Sequence, residues 1–312
     1  MLSEVLISEV GPRDGLQNCD ETMPTHIKQD WIKALYQAGL REIEVGSFVP
    51  AKLLPQLADT AEIVEYALQL DGLTVAVLVP NFKGAENAIK SGAHKLTLPL
   101  SVSETHSLKN LRRTHDQVID EAKAISNLIS ELPASSRPHF EGSLSTAFGC
   151  TLEGQIPEGQ ILTLTERLLT AGVDEIGISD TTGYANPESV RKLVKSVRNV
   201  AGADKVTGIH LHNTRGLGLA NALAAFEEGL STFDASLGGL GGCPFAPGAS
   251  GNIATEDLVF MFEAMGVNTN VDLEALFATR TIVSRGLPDE TLYGFTPDAG
   301  LPLGFERTSK PS

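Results

Sequence analysis

The chain has 312 residues, and its 24 Lys and Arg against 39 Asp and Glu give a formal net charge of −15 at pH 7. Hydrophobic residues make up 42% and charged residues 20%, a balance that is typical of a folded globular protein and excludes a disordered chain. The negative charge disfavours a nucleic-acid partner, because the sequence contains no basic run that could offset it. No apolar run approaches the length of a membrane span, so no membrane partner is expected.

The cysteines and the first residues of the chain indicate the cellular compartment of the protein. Cys19, Cys150 and Cys243 are odd in number and far apart, which does not suit a disulfide framework and favours a reducing compartment. Residues 1–8 lead directly into a strand pattern, without the basic and apolar segments of a targeting signal. We therefore expect a cytoplasmic protein.

Short β-branched or apolar runs alternate with amphipathic segments along the chain. Strands are predicted at 5–10, 42–47, 73–79, 95–100, 139–146, 175–179, 206–212 and 232–236. Helices are predicted at 25–38, 55–69, 83–91, 108–132, 157–171, 187–200, 218–228 and 255–265. Eight such units predict an α/β fold, a (β/α)8 TIM barrel over residues 1–285. A doubly wound open sheet is the alternative, which the strict alternation disfavours.

Residues 286–312 are rich in Pro and Gly and contain no further strand signal. We interpret them as a C-terminal helical or irregular extension, either packed over the barrel or mobile, and not as a second domain.

Enzymes with this barrel fold carry their chemistry at the carboxyl ends of the strands. The first strand leads into VGPRDGLQN (10–18), where Arg13 and Asp14 stand together in a glycine-containing turn. On this motif alone, a functional site and a surface salt bridge are equally good explanations. The seventh strand contains His210 and His212, which point to the same side of the sheet because side chains alternate along a strand.

These two histidines and Asp14 predict a mixed nitrogen and oxygen metal site. The ligand set suits Mg²⁺ or Mn²⁺ better than a structural zinc, which prefers several cysteines. The alternative is that one histidine is a core residue and the other faces a helix.

The segment after the eighth strand, LGGLGGCPFAPGASGN (237–252), is rich in glycine and could close over a site as a lid. Its cysteine, Cys243, is a candidate proton donor, whereas Cys19 and Cys150 are interpreted as inert apolar residues. A glycine-rich loop can also bind phosphate, but the spacing matches neither a Walker nor a dinucleotide motif.

Together these segments resemble the 3-hydroxy-3-methylglutaryl-CoA lyase family of metal-dependent barrels, from about residue 5 to 271. The resemblance is carried by VGPRDGLQN (10–18), IEVGSFV (43–49), SETHSLKN (103–110), residues 210–221 and GGLGGCPFAPGASGNIATED (238–257). Isopropylmalate and homocitrate synthases share the Arg-Asp and His-x-His patterns but lack the GGCP segment.

The resemblance implies a retro-Claisen cleavage of a 3-hydroxy-3-methylglutaryl-CoA-like 3-hydroxyacyl-CoA to acetyl-CoA and a keto product, with a divalent cation as cofactor. It makes metal ligands of Asp14, His210, His212 and Asn252. It places Arg13 at the thioester carbonyl, Glu44 beside Arg13 and the metal, Asp180 near the hydroxyl, Gln17 on the pocket wall and Cys243 at the departing carbon. The base is either His210 or Asp180.

The sequence departs from the family pattern in the acyl pocket. Where the family has Arg, Tyr and Ser, this chain has Glu141, Ser143 and Gly177, which we predict to bind substrate. We therefore expect poor turnover of the methylglutaryl ester relative to another ester, such as citramalyl-CoA or an extended 3-hydroxyglutaryl-CoA. Two smaller departures are Asn213 after the second histidine and Cys19-Asp20 after Gln-Asn.

Two other functions remain open at this point. One is a Claisen-type enzyme that condenses acyl-CoA, and the other is a non-catalytic barrel that only binds CoA esters. The combination of metal ligands with Cys243 disfavours the second, because a binding module needs no thiol acid. The expected partners are an acyl-CoA substrate and further copies of the chain, which would form a homodimer or a homotetramer.

Overall fold

The computed structural model of the protein describes residues 2–241 and 251–308. Eight parallel strands close into a barrel in the order in which they follow along the chain. They are β1 Leu6–Glu9, β2 Glu42–Ser47, β3 Thr74–Leu78, β4 Lys95–Ser101, β5 His139–Ser145, β6 Glu175–Asp180, β7 Gly208–Leu211 and β8 Thr232–Ala235. The (β/α)8 prediction is confirmed, and the open sheet is excluded because β1 pairs with β8.

Helices connect the strands and surround the barrel. The described residues form α1 Thr25–Gln37, α2 Thr60–Ala67, α3 Phe82–Ser91, α4 Glu104–Asn110, α5 His115–Ser130, α6 Glu158–Ala171, α7 Pro187–Ala201, α8 Gly218–Glu227, α9 Thr255–Ala264, α10 Leu273–Gly286 and α11 Phe295–Ala299. None of these helices combines the length and apolar character needed to cross a membrane.

The predicted single helix over 108–132 is wrong, since the segment contains two helices. The chain leaves the helical conformation at Arg112, which has a φ of 55°. The α5 helix then begins with a capping box in which Thr114 and Gln117 each bond the other's backbone N–H. Helix α10 was not predicted at all, and it packs against α1.

The residues after α10 lie against the barrel at α9. The Tyr293 amide donates to the Gly238 carbonyl oxygen at 2.7 Å, and the Thr296 amide donates to Asp257 Oδ1 at 2.6 Å. Further along, the Thr308 amide donates to Glu263 Oε2 at 2.9 Å. The described part of the extension is thus in contact with the barrel, while the boundary at 285 stays a prediction.

Burial alternates along the strands in a way that reveals the barrel interior. On β4 the outward Leu96 and Leu98 are fully buried beneath helices, whereas the inward Thr97 and Pro99 are only half-buried. Branched apolar side chains usually fill the interior of such a barrel. Here most of the inward positions are small or polar, and they leave a cavity of about 820 Å³ that opens at the carboxyl ends of the strands.

Candidate active site and metal site

A single π-helical turn, Gly11–Gly15, follows β1 and turns Arg13 and Asp14 toward the cavity. The Gly11 amide donates to Glu9 Oε1 at 2.9 Å. A Cβ on Gly11 would lie 2.5 Å from that oxygen and 2.9 Å from the Trp31 ring, so glycine is required for this turn. Such isolated π turns occur frequently at functional sites.

Asp14 lies opposite His210 of β7 and His212, which directly follows that strand, as the sequence predicts. Its Oδ2 is 4.0 Å from His210 Nε2 and 3.9 Å from His212 Nε2. One potential ligand atom from each of the three residues falls within 4.8 Å of the others. These separations suit a common metal ion, because ligand atoms about 2 Å from an ion lie a few ångströms apart.

Asn252 completes this cluster from the segment beyond the undescribed residues. The backbone of residue 252 forms a bridge with His212, and Asn252 Nδ2 donates to Asp14 Oδ2 at 2.8 Å. Its Oδ1 is buried and has no hydrogen-bond partner in the described part of the chain. A buried carbonyl oxygen rarely lacks a partner, so the observation fits a cation as that partner.

The sequence did not identify Asp234, which stands behind His210. Asp234 Oδ2 is 3.0 Å from His210 Nδ1, and the two residues pair across β7 and β8. A carboxylate on one ring nitrogen fixes the orientation of a metal-binding histidine. The signal was available in the sequence, because an aspartate stands inside an otherwise apolar strand.

Arg13 is held between two carboxylates on the cavity wall. Its Nη1 donates to Asp14 Oδ1 at 2.5 Å and its Nε donates to Glu44 Oε2 at 2.6 Å. Gln17 Nε2 donates to the same Asp14 oxygen at 2.9 Å. Glu44 thus lies beside Arg13 and Gln17 lines the cavity, while the roles of both residues stay predictions.

The net shift in pKa is opposite for the two carboxylates, although Arg13 lowers the pKa of both. Burial acts to raise the pKa of Asp14, but Arg13 and the two histidines hold it well below its ordinary value. Burial raises the pKa of Glu44 to about 7, against the lowering effect of Arg13. Asp14 therefore stays ionised, as a metal ligand must, while Glu44 titrates near neutral pH.

The three predicted acyl-pocket residues line the same cavity. Glu141 Oε2 lies 2.9 Å from the ammonium group of Lys95, a residue that the sequence did not identify. Ser143 Oγ is 3.2 Å from Ser179 Oγ. Gly177 lies beside both, and its lack of a side chain leaves room for the Glu141 carboxylate.

One predicted site residue, Asp180, is not brought to the cavity. Asp180 is 1% exposed and is not among the described residues that line the cavity. It accepts hydrogen bonds from the amides of Tyr184 at 2.8 Å and Ala185 at 3.0 Å, so both its oxygens shape the loop after β6. Cys243 lies outside the described residues.

The cavity mouth adds residues that the sequence did not single out. Lys109, Arg112 and Arg113 border it on one side, at the end of α4 and just after it, and the apolar Val49 and Leu53 border it on another. Cations beside an apolar wall suit a long ligand that carries phosphates.

Comparisons with known proteins agree with this geometry. The hydroxymethylglutaryl-CoA lyase YngG of Bacillus subtilis is 41% identical over 275 residues, which are 88% of this chain and 90% of that protein. The cytoplasmic 3-hydroxy-3-methylglutaryl-CoA lyase of Rattus norvegicus is 38% identical over 92% of this chain and 82% of its own length.

Solved structures of related enzymes superpose closely. The crystal structure of the Bacillus subtilis HMG-CoA lyase has a TM-score of 0.90 at 38% identity and covers 96% of this chain and 99% of that one. An HMG-CoA lyase from Acinetobacter baumannii, solved with coenzyme A and 3-methylmalate, has a TM-score of 0.89 at 40% identity, with 97% of both chains covered. The HMGL-like family model matches residues 4–283, and the chain belongs to this family.

Proposed function

We propose that the protein is a divalent-metal-dependent carbon–carbon lyase that cleaves a 3-hydroxy-3-methylglutaryl-CoA-like 3-hydroxyacyl-CoA to acetyl-CoA and a keto product. The observation that carries the proposal is the convergence of Asp14, His210 and His212 on one point of the cavity that also holds Arg13. The names of the relatives support the same reaction.

The proposed metal ligands are Asp14, His210, His212 and the Asn252 amide oxygen. Two imidazoles with two oxygens suit Mg²⁺ or Mn²⁺, which complete their coordination with water or substrate. A divalent cation bound there would lower the pKa of the substrate hydroxyl.

Side chains of the protein would then remove the hydroxyl proton and stabilise the negative charge that develops on the substrate. Because Nε2 of His210 would bind the metal and its Nδ1 donates to Asp234, our proposed acceptor for the hydroxyl proton is the Asp234 carboxylate on the cavity wall, in preference to His210 or Asp180. Loss of that proton allows the bond between C2 and C3 to break, which leaves a ketone and an acetyl-CoA enolate. Arg13, held by Glu44, would stabilise the enolate oxygen as negative charge develops on it.

Protonation of the enolate carbon completes the reaction, and we assign this step to Cys243. The segment around it would act as a lid, while Gln17 lines the pocket and helps to fix Asp14. At the mouth, Lys109, Arg112 and Arg113 would contact the phosphates of CoA, which favours acyl-CoA as the substrate class.

Metal dependence and product analysis test the proposal together. The purified protein is incubated with 3-hydroxy-3-methylglutaryl-CoA, and both acetyl-CoA and the released ketone are quantified. We expect cleavage to stop in excess chelator and to return with Mg²⁺ or Mn²⁺, and His212→Ala to weaken metal binding. Full cleavage in excess chelator would refute the metal assignment, and net condensation in the reverse assay would favour a synthase.

A further inference from the structure

Below the metal ligands the cavity continues toward the amino-terminal ends of the strands. Its floor is the Lys95 ammonium group, which lies 2.9 Å from Glu141, 3.4 Å from Glu175 and 3.6 Å from Glu42. Its walls are small or hydroxylated, and they include Ser8, Thr97, Ser143, Gly177, Ser179 and Gly208. We call this space the inner chamber.

Glu141 and Gly177 shape the inner chamber as a pair. A Cβ on Gly177 would overlap Glu141 Oε1 and would lie 3.3 Å from Ser143 Oγ. In its position against Lys95, the Glu141 carboxylate thus occupies the space that a side chain at residue 177 would need. The contact with Lys95 also means that the Glu141 carboxylate is ion-paired and is not left facing a substrate alone.

The chemistry of the inner chamber selects among possible occupants. Three carboxylates surround the single ammonium group of Lys95, so a second anionic group would meet excess negative charge. A purely apolar group would remove water from the Ser143 and Ser179 hydroxyls without replacing its hydrogen bonds. An uncharged group that donates and accepts hydrogen bonds avoids both costs.

The inner chamber begins directly beside the reacting centre. His210 pairs with Ser179 across β6 and β7, and Gly208 lies two residues below it on the same strand. Two residues of strand span roughly 7 Å. A substituent on the carbon that bears the hydroxyl would therefore enter the chamber and could extend well beyond a methyl group.

We infer that the inner chamber selects 3-hydroxyacyl-CoA esters whose C3 substituent is longer than methyl, uncharged and hydroxylated. The inference rests on the proposed lyase function and adds the substrate class. In this account Ser143 and Ser179 bind the substituent hydroxyl, and Gly177 with Glu141 sets the depth available to it.

Four matched thioesters test this inference. They differ only in the group that replaces the C3 methyl of 3-hydroxy-3-methylglutaryl-CoA, which is methyl, propyl, 2-hydroxyethyl or carboxymethyl. For each ester, kcat/KM is measured from the ketone and CoA-ester products with Mg²⁺ present. We expect the hydroxyethyl ester to exceed the propyl ester by roughly tenfold or more, since a site that bonds a hydroxyl rejects an analogue lacking it. Preference for the propyl, carboxymethyl or methyl ester would overturn the inference.

Two variants connect the preference to the inner chamber. Ser143→Ala should reduce the ratio of hydroxyethyl to propyl kcat/KM, whereas Ser91→Ala, whose hydroxyl bonds only within α3, should keep it. Gly177→Ala should displace Glu141 and shift preference toward the methyl ester. An unchanged ratio in Ser143→Ala contradicts the inference even if Gly177→Ala does not fold.

Failure of the proposed function gives a different result. If none of the four esters is cleaved with Mg²⁺ or Mn²⁺, the lyase proposal is wrong. The affinities of the same esters, measured by calorimetry, then decide the inference, which requires tightest binding of the hydroxyethyl ester.

Discussion

Asp234 accepts its hydrogen bond from the ring nitrogen of His210 that faces away from Asp14. The bond from Nδ1 is 3.0 Å long, and it leaves Nε2 of the same ring 4.0 Å from Asp14 Oδ2. A histidine held this way keeps one tautomer and one ring orientation, so the nitrogen offered to a metal is set before the metal binds.

Replacement of Asp234 should therefore weaken metal binding without removing a ligand. We expect Asp234→Asn to lower Mn²⁺ affinity by about 10–100-fold, the usual effect of losing a carboxylate behind a metal-binding histidine. Titration calorimetry on the purified variant measures this. Asp120→Asn, on the exposed face of α5, is the matched control, and an Asp234→Asn affinity equal to that of the control would contradict the assignment.

Asp180 should prove to be a residue of the loop after β6 and not of the proton transfer. Asn at this position keeps only one carbonyl oxygen, so one of the Tyr184 and Ala185 amides loses its acceptor. We expect Asp180→Asn to cost about 1–3 kcal/mol in the free energy of unfolding. Urea denaturation gives that value, and single-turnover rates of the folded variant give its chemistry. A large fall in rate at unchanged stability would restore Asp180 as the base.

Cys243 should act through its proton. Loss of a positioned acid costs roughly 10²–10⁴-fold in rate, and serine keeps the shape but is a far weaker acid. We expect Cys243→Ser to reduce kcat by that range with Mn²⁺ affinity unchanged. Cys19→Ser and Cys150→Ser are the controls, because both thiols are buried and free. Near-native turnover by Cys243→Ser would assign the proton to Asp234 or to water.

Glu9 should make stability depend on pH. Burial raises its pKa from an ordinary 4.5 to about 8, so the folded protein holds a proton that the unfolded chain releases. This contribution to stability is complete below about pH 4.5 and is lost as pH rises through 8.

Glu9→Gln removes that dependence while preserving the shape of the protonated side chain. We expect the decline in urea midpoint between pH 5 and 8 to become shallower in this variant. Glu131→Gln, just after α5 on the exposed surface, changes the charge equally and serves as the comparison. Parallel pH profiles for Glu9→Gln and the native protein would show that Glu9 is ionised in the fold.

The sequence predicted the barrel because each strand is a short apolar run bounded by turn residues. It also located Asp14 and the two histidines, because the fold class states which ends of the strands face the site. It failed at 108–132, where helical periodicity continues through Arg112. The capping box of Thr114 and Gln117 was the available signal for a new helix.

Other features depend on register, which a single sequence does not specify. Lys95 meets Glu141 because Thr97 on β4 pairs with Glu141 on β5 in a closed and staggered barrel. Without that register, the sequence predicts Glu141 only as a substrate-binding residue and does not identify its ion pair with Lys95. The dependence of Glu141 on Gly177 has the same origin, since it needs the distance between neighbouring strands.

The residues proposed for metal binding and proton transfer lie on one side of the barrel, and the residues proposed for acyl selection lie on the other. The proposed metal ligands and proton acceptor belong to β7, β8, the segments that follow these two strands and the turn after β1, whereas Lys95, Glu141 and Gly177 stand on β4, β5 and β6. The second side is one continuous stretch of chain, whereas the first joins the two ends of the barrel where β1 pairs with β8. A chimera that receives residues 95–180 from a relative would exchange the acyl-selecting side and retain the metal ligands. Lyases with new acyl specificity would then be obtained by exchange of the β4–β6 segment between relatives, without redesign of the metal site.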